Sequence, residues 1–281
     1  MDLVSKIVFG LNLHRNLSFV AKLGALGRAK PTLFIAGFQK CGTTSIYKNL
    51  MDTGFYAKPY NKEDNRLALN KNSIVEFEYG YPYSLTNPRS VSASHLFTFI
   101  PGSISTIKQF YPNAKILMIV RDPIDRALSH FDMDKRFGWI PESLTAENWM
   151  EFELETLLKA NVNFHSIDSV YKSFNLFNWR FGTPLVRSIY YPYVKEFISQ
   201  EFPVHVVELG ELKANYDIHI SGIYDFLEIP EEYRVAFSAL TLENKAPQKS
   251  SISIELKCKL SEYYNEPNNL LFDLLSKSYN W

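Results

Sequence analysis

The run Gly37-Phe38-Gln39-Lys40-Cys41-Gly42-Thr43-Thr44-Ser45 gathers two glycines, one lysine and three hydroxyls into a short stretch. That is the chemistry of an anion cradle. Backbone N–H groups of a tight loop, joined to the N-terminus of the helix it opens, make a concave site for phosphate or sulfate oxygens. The hydroxyls of Thr43, Thr44 and Ser45 add donors after Gly42, and Lys40 brings charge from within the loop. A second run, Arg121-Asp122-Pro123-Ile124-Asp125-Arg126-Ala127-Leu128-Ser129, sets an arginine before a helix start, with Asp122 suited to the cap and Pro123 to the first turn. Ser129 falls two turns into that helix, so Arg121 and Ser129 can converge on one phosphate. Two side chains are candidates for proton transfer. Glu63 lies in Tyr60-Asn61-Lys62-Glu63-Asp64, which also fits a solvated charged loop, and His95 follows Ser92-Ala93-Ser94. An imidazole titrates near neutrality, about 6.5, whereas a carboxylate needs burial to become a comparable base.

The glycine spacing of the first run is that of the Walker A pattern G-x-x-x-x-G-K-[ST], with Thr43 standing where that pattern has lysine. Lys40, three residues earlier, therefore cannot crown a β,γ-phosphate pair in the manner of a nucleotide triphosphatase. The elements that position these residues are legible as apolar runs. Thr32–Ala36, Lys115–Val120 and Val204–Glu208 read as strands buried on both faces. Helical spacing follows the first strand over Thr43–Met51 and the second over Ile124–Phe131. It precedes the third over Ser188–Phe202 and follows it over Ile218–Leu227. The layout is an α/β fold, a P-loop-like three-layer α/β/α sandwich on a central parallel sheet, with ligands beyond the C-terminal ends of the strands. The segment Phe137–Thr183, with an acidic helical stretch over Glu147–Leu158, is assigned to a lid or acceptor wall.

With 281 residues, 46% of them hydrophobic, the chain can bury a large core, and residues 31–281 show no linker or repeat that would divide them. Residues 1–30 read as an amphipathic N-terminal segment packed on that domain, with a membrane-surface anchor or transit peptide as the alternative. Thirty basic residues balance thirty acidic ones, which excludes a bulk-charge case for nucleic acid. An aromatic share of 15% fits a well-filled core. Two cysteines, Cys41 and Cys258, make no disulfide framework and point to a reducing, cytoplasmic setting. No run reaches the roughly 20 apolar residues of a transmembrane helix.

The two motifs together resemble those of the sulfotransferases that use 3′-phosphoadenosine 5′-phosphosulfate (PAPS), in particular the bacterial and carbohydrate-type domains. Lys40-Cys41-Gly42-Thr43-Thr44 resembles their phosphosulfate loop, and the resemblance gives Lys40 the bridging oxygen and the charge developing on the leaving phosphate. Arg121-Asp122-Pro123 through Ser129 resembles their 3′-phosphate segment, with Arg121 and Ser129 as the contacts. The likeness extends over residues 31–281. It runs through Tyr190-Tyr191-Pro192-Tyr193, Glu208-Leu209 and Phe226-Leu227, then a basic loop over Asn244–Ser250 that would bring Lys245 to the donor. Leu260–Trp281 resembles the terminal helices of carbohydrate and bacterial members. Lys62-Glu63 resembles the motif carrying a glutamate base, though Asp64, Asn65, Arg66 and Leu67 replace the proline and aromatics that follow it. The segment ending at His95 resembles the one carrying the histidine base of the cytosolic enzymes, with Ala93 in place of a lysine.

The resemblance implies transfer of a sulfuryl group from PAPS to a hydroxyl or nitrogen of a small acceptor, releasing 3′-phosphoadenosine 5′-phosphate (PAP), with no metal. Glu63, Asp64, Glu76 and Glu78 mix with Lys58, Lys62, Arg66 and Lys71 around the candidate base, so a neutral or cationic acceptor is expected. Neither a nucleic-acid partner nor a transmembrane segment is expected. Two other classes compete. A P-loop nucleotide kinase or triphosphatase would need magnesium, and a catalytically inactive nucleotide-binding protein would have no use for Lys40, Glu63 and His95 together.

Overall fold

The computed structural model describes residues 27–69, 74–177, 183–235 and 249–281. Residues 1–26 of the expected N-terminal segment lie outside these, as does Lys245. Strand β1 (Lys30–Ile35) is followed by helix α1 (Thr43–Asp52), then the short helices α2 (Arg66–Leu69) and α3 (Ile74–Glu78) and strand β2 (Arg89–Ala93). Helices α4 (Leu96–Phe99) and α5 (Ser103–Phe110) lead to β3 (Lys115–Val120), which runs into α6 (Pro123–Arg136). Then come α7 (Ala146–Ala160), α8 (Ile167–Ser173), α9 (Tyr191–Ser199), β4 (Val204–Glu208), α10 (Leu209–Ala214), α11 (Tyr216–Leu227) and α12 (Ile254–Leu275).

The four strands form one parallel sheet in the order β2-β1-β3-β4. The three strands read from apolar runs are all present. β2 was not among them, because Arg89-Ser90-Val91-Ser92-Ala93 has no apolar run to announce it. Its pairing with β1, from Lys30 opposite Arg89 to Ile35 opposite Ala93, makes a strand of a polar sequence. That edge pairing matters for function, since it delivers His95 to the C-terminal end of the sheet. β2 lies on one side of β1 and β3 on the other, so the strand order reverses between β1 and β3. In open parallel sheets the crevice at such a reversal is where ligands bind. The loops leaving β1 and β3 are the two candidate anion motifs.

Two predicted helices differ in extent. The single helix expected over Ser188–Phe202 is a 3₁₀ turn, Val186–Ser188, followed by α9, with Pro192 in its first turn. Proline has no N–H to give to a preceding turn, so the helix restarts around it rather than running through. At the C-terminus the expected set of terminal helices is one 22-residue helix, α12, which carries Pro267 within it.

Hydrophobic residues from Leu33 to Tyr279 join one core. The expected use of the aromatic residues holds, because Phe38 packs on Tyr190 at 4.5 Å and Phe99 meets Tyr193 edge-on at 5.5 Å between ring centroids. Phe38 belongs to the run after β1, so this ring cluster adjoins that loop.

Candidate active site

A cavity of about 640 Å³ opens at the strand-order reversal. Its inner end is the loop after β1. Lys40 and Gly42 both hold left-handed backbone, φ 73° and 86°. Gly42 suffers no strain there for lack of a Cβ, whereas Lys40 adopts that conformation at a cost. Gly42 is also the N-cap of α1 and offers no side-chain cap. The helix N-terminus faces the cavity, where Thr43, Thr44 and Ser45 join the lining. Cys41, between the two left-handed residues, is buried in the core, and burial pushes its thiol up to about 12, so it has no part in nucleophilic chemistry.

The opposite wall is the β3–α6 unit. Asp122 accepts a hydrogen bond from the Asp125 N–H at 2.8 Å and Pro123 occupies the first turn, as the sequence predicts. Arg121 lies where β3 ends, its carbonyl held by the Tyr190 hydroxyl at 2.8 Å and its guanidinium paired with Asp125 at 3.1 Å. Ser129 lines the same cavity as Arg121. The cleft is crowded with positive charge. Burial first, then Arg136, Arg121 and Arg126, hold the Lys40 ammonium below its usual range, while Asp132 opposes them. Cations that disfavour one another in this way are relieved by a polyanion placed among them.

The two base candidates, far apart in sequence, meet on the third side. His95 Nδ1 stands 3.9 Å from Glu63 Oε2, an ion-pair distance too long for a hydrogen bond. Glu63 is about half exposed and is held by Lys62 at 3.2 Å, and the same ammonium donates to Thr44 Oγ1 at 2.7 Å. One lysine therefore ties the carboxylate to the anion loop. Burial, then Arg187 and Lys62, against the opposing effect of Glu63, hold His95 down to about 4, so its imidazole is neutral at physiological pH.

Several lining residues escaped the sequence reading. Asp132, Met133 and Arg136 share the face of α6 that carries Asp125 and Ser129, and the helical period from Ser129 would have found them. Lys213, on α10, and the exposed pair Phe137 and Trp139, 5.1 Å apart, carried no signal of their own. Lys249 and Ser250, by contrast, end the basic loop expected over Asn244–Ser250; both line the cavity, and the Ser250 N–H donates to Asp132 at 3.1 Å.

Two expectations are met only in part. Among the described residues of the expected wall over Phe137–Thr183, Phe137 and Trp139 reach this cavity, and the acidic helix α7 packs elsewhere, with Glu153 buried and Glu147 bonded to Ser253. Of the charges taken to surround the base, Lys62 and Glu63 alone line the cavity among the described residues. Asp64 is buried against Arg66, Glu78 against Lys30 at 3.1 Å, and Lys71 lies outside the described residues.

Among the described residues no group of three or more His, Cys, Asp or Glu side chains is placed to hold a metal ion. Nor is any described helix long and apolar enough to cross a membrane.

The model of the sulfotransferase domain family matches residues 30–262. The chain is 23% identical to the membrane-associated sulfotransferase kil1 of Dictyostelium discoideum, over 71% of this chain and 52% of that protein. It thus spans about half the length of the curated relative it matches. Among solved structures it superposes on a sulfotransferase from Alicyclobacillus acidocaldarius with a TM-score of 0.67 at 19% identity, covering 89% of this chain and 98% of the other. The sulfotransferase domain of the curacin biosynthetic pathway gives a TM-score of 0.46 at 13% identity, over 90% and 100% of the two chains. The first superposition shows the shared α/β fold. Because the family match takes in both anion motifs, the base candidates and every strand, the chain belongs to the sulfotransferase domain family, whose donor is PAPS.

Proposed function

We propose that this domain transfers the sulfuryl group of PAPS to a hydroxyl or nitrogen of a small, neutral or cationic acceptor by in-line displacement. The observation that carries this reading is the three-sided cleft, with Lys40 and the uncapped end of α1, Arg121 with Ser129, and the Glu63–His95 pair all facing one cavity. The donor's 3′-phosphate belongs to Arg121 and Ser129, and its phosphosulfate to Lys40 and the hydroxyls of Thr43, Thr44 and Ser45. During transfer the acceptor oxygen or nitrogen forms its bond to sulfur as the bond from sulfur to the bridging oxygen breaks. The electron pair stays on that oxygen, where Lys40 meets the new charge. Glu63, anchored through Lys62 to Thr44, takes the acceptor's proton. His95, neutral, hydrogen-bonds and orients the acceptor. Lys245 completes the donor site from the basic loop in this reading.

Residues 31–281 act as one domain, in keeping with a core that runs from Leu33 to Tyr279. The two free thiols suit a reducing, cytoplasmic compartment, while the name of the Dictyostelium relative places that protein at a membrane.

Calorimetric binding of PAP without magnesium, with ADP as control, tests the donor assignment. Micromolar PAP binding that is weakened about tenfold to a hundredfold in Arg121→Ala, with little affinity for ADP, is the expected result, the loss being that of a charge-assisted bidentate contact. Equal affinity for the two nucleotides, or none for PAP, would overturn the assignment.

A further inference from the structure

Two buried arginines behind the anion loop meet on one residue, Gln39. Arg126 follows Asp125 on α6 but is fully buried, behind the residues that line the cavity. Its Nε donates to Ser188 Oγ at 2.6 Å and its Nη2 to the Pro184 carbonyl. Its Nη1 lies 3.4 Å from both His130 Nδ1 and the Gln39 carbonyl oxygen, to which it donates. Arg187, also buried, donates from Nη1 to Gln39 Oε1 at 3.2 Å. The main chain and the side chain of Gln39 are thus gripped separately.

Gln39 and Lys40 are the two central residues of a tight turn. The Cys41 N–H donates to the Phe38 carbonyl at 3.1 Å, and of the two central residues Lys40 alone has positive φ, 73°. That is a type II turn, whose second central position favours glycine. A type I turn differs chiefly by rotation of the central peptide, here Gln39–Lys40, and takes lysine at that position without strain. Lys40 therefore opposes the turn it occupies, and a contact from outside the turn must hold it there. A trans peptide points its C=O and N–H in opposite directions, so a Gln39 carbonyl held on Arg126 turns the Lys40 N–H away from the core. Rotation to type I would take the carbonyl off Arg126 and swing that N–H inward.

We propose that Arg126 is a positioning residue for the donor, holding the Gln39–Lys40 peptide in the type II orientation so that Lys40 presents its N–H and its ammonium to the donor's 5′ end. Arg187 assists by fixing the Gln39 side chain. The proposal rests on the sulfotransferase reading, which gives Lys40 to the phosphosulfate, and adds what keeps it there. Neither motif shows this link by itself, because Arg126 belongs to the second run and acts on the first.

The test compares PAP with adenosine 3′-monophosphate, which lacks the 5′-phosphate, and calorimetry gives the ratio of their affinities. Arg126→Lys keeps the positive charge but cannot span Ser188, Pro184 and Gln39 together, and Gln39→Met removes the grip of Arg187. Each is expected to cut the preference for PAP by about fivefold or more, from the loss of oriented donors. Affinity for the 3′-monophosphate within about twofold of wild type shows a folded protein with Arg121 and Ser129 in place. Glycine accepts positive φ freely and alanine does not, so the decisive comparison replaces Lys40 itself. Arg126→Lys should cut the preference about fivefold beside Lys40→Ala, and by less than about twofold beside Lys40→Gly. Equal losses in the two backgrounds would show that Arg126 acts through packing alone and would overturn the proposal. A preference unchanged by both Arg126→Lys and Gln39→Met would overturn it too. Should Arg126→Lys fail to fold, Gln39→Met in the same two backgrounds decides on the same terms. Wild type that binds PAP no better than the 3′-monophosphate would instead sink the donor reading itself.

Discussion

Lys40 and Glu63 reach the same cavity under opposite constraints. The lysine is held in left-handed backbone inside a loop and is crowded by arginines, while the carboxylate is half exposed and leashed by Lys62. A residue whose charge matters only when the leaving oxygen develops its own should affect turnover more than binding. Lys40→Ala is therefore expected to lower kcat about 10²- to 10³-fold with a much smaller change in PAP affinity, read by steady-state kinetics beside calorimetry. For the base, Glu63→Gln should cost about 10²- to 10⁴-fold in kcat, and His95→Asn about tenfold with a raised KM for the acceptor. If His95→Asn proves the more damaging, the proton goes to the imidazole. Because burial and Arg187 hold His95 down to about 4, the imidazole gains its proton only as pH falls through that value. Wild-type activity should accordingly show no limb from this residue between pH 5 and 8.

At the scale of elements, the β3–α6 unit and the edge strand β2 do different work. β3 is nearly all buried and announces itself in sequence, so its C-terminal Arg121 is a fixed point. The distance from Arg121 to Ser129 depends on where α6 begins, and the Asp122 cap sets that start. Asp122→Ala should lower stability by about 1 kcal/mol in denaturant melts. It should also weaken PAP binding several-fold, as the first turn of α6 loosens. β2 has little of its own to bury, yet it ends two residues before His95. Its existence could not be read from Arg89–Ala93, because a strand of serines is selected by the neighbour it pairs with, not by its own pattern.

Across the whole molecule, the segment that carries Arg187 is held from a distance by Glu153 of α7. Glu153 Oε1 accepts the Leu185 and Val186 N–H groups at 3.0 and 3.2 Å, and burial still raises its carboxyl to about 8 despite those bonds. The folded state thus keeps a proton that the unfolded chain gives up near the ordinary value of 4.5. A group raised in this way favours folding below its unfolded pKa, and that contribution is lost as pH climbs towards the folded one. Wild type should lose on the order of a few kcal/mol of stability between pH 5 and 8 from this group. Glu153→Gln keeps the accepting oxygen and does not titrate, so its melting temperature should fall less over the same range. A parallel decline in both proteins would show that the carboxyl does not titrate in this interval.

The sequence by itself determined the two motifs proposed to hold the donor and the frame that carries them. Gly42, Lys40 and the hydroxyls of Thr43–Ser45 are contiguous, as are Arg121 through Ser129, and each group sits on an apolar strand whose burial is visible in its composition. Local motifs of this kind need only a strand end and a helix start to work. The side that carries the base candidates is different. Glu63, the His95–Phe99 turn and Arg187 come from separate stretches, and only the folded chain brings them together. The tertiary structure also sorted the charges, burying the Asp64 and Glu78 carboxylates against the exposed cations Arg66 and Lys30 and leaving Lys62 and Glu63 at the cavity. The physical reason is that an anion site can be built from the backbone of one turn, whereas the meeting of Glu63 with His95 depends on how distant side chains pack.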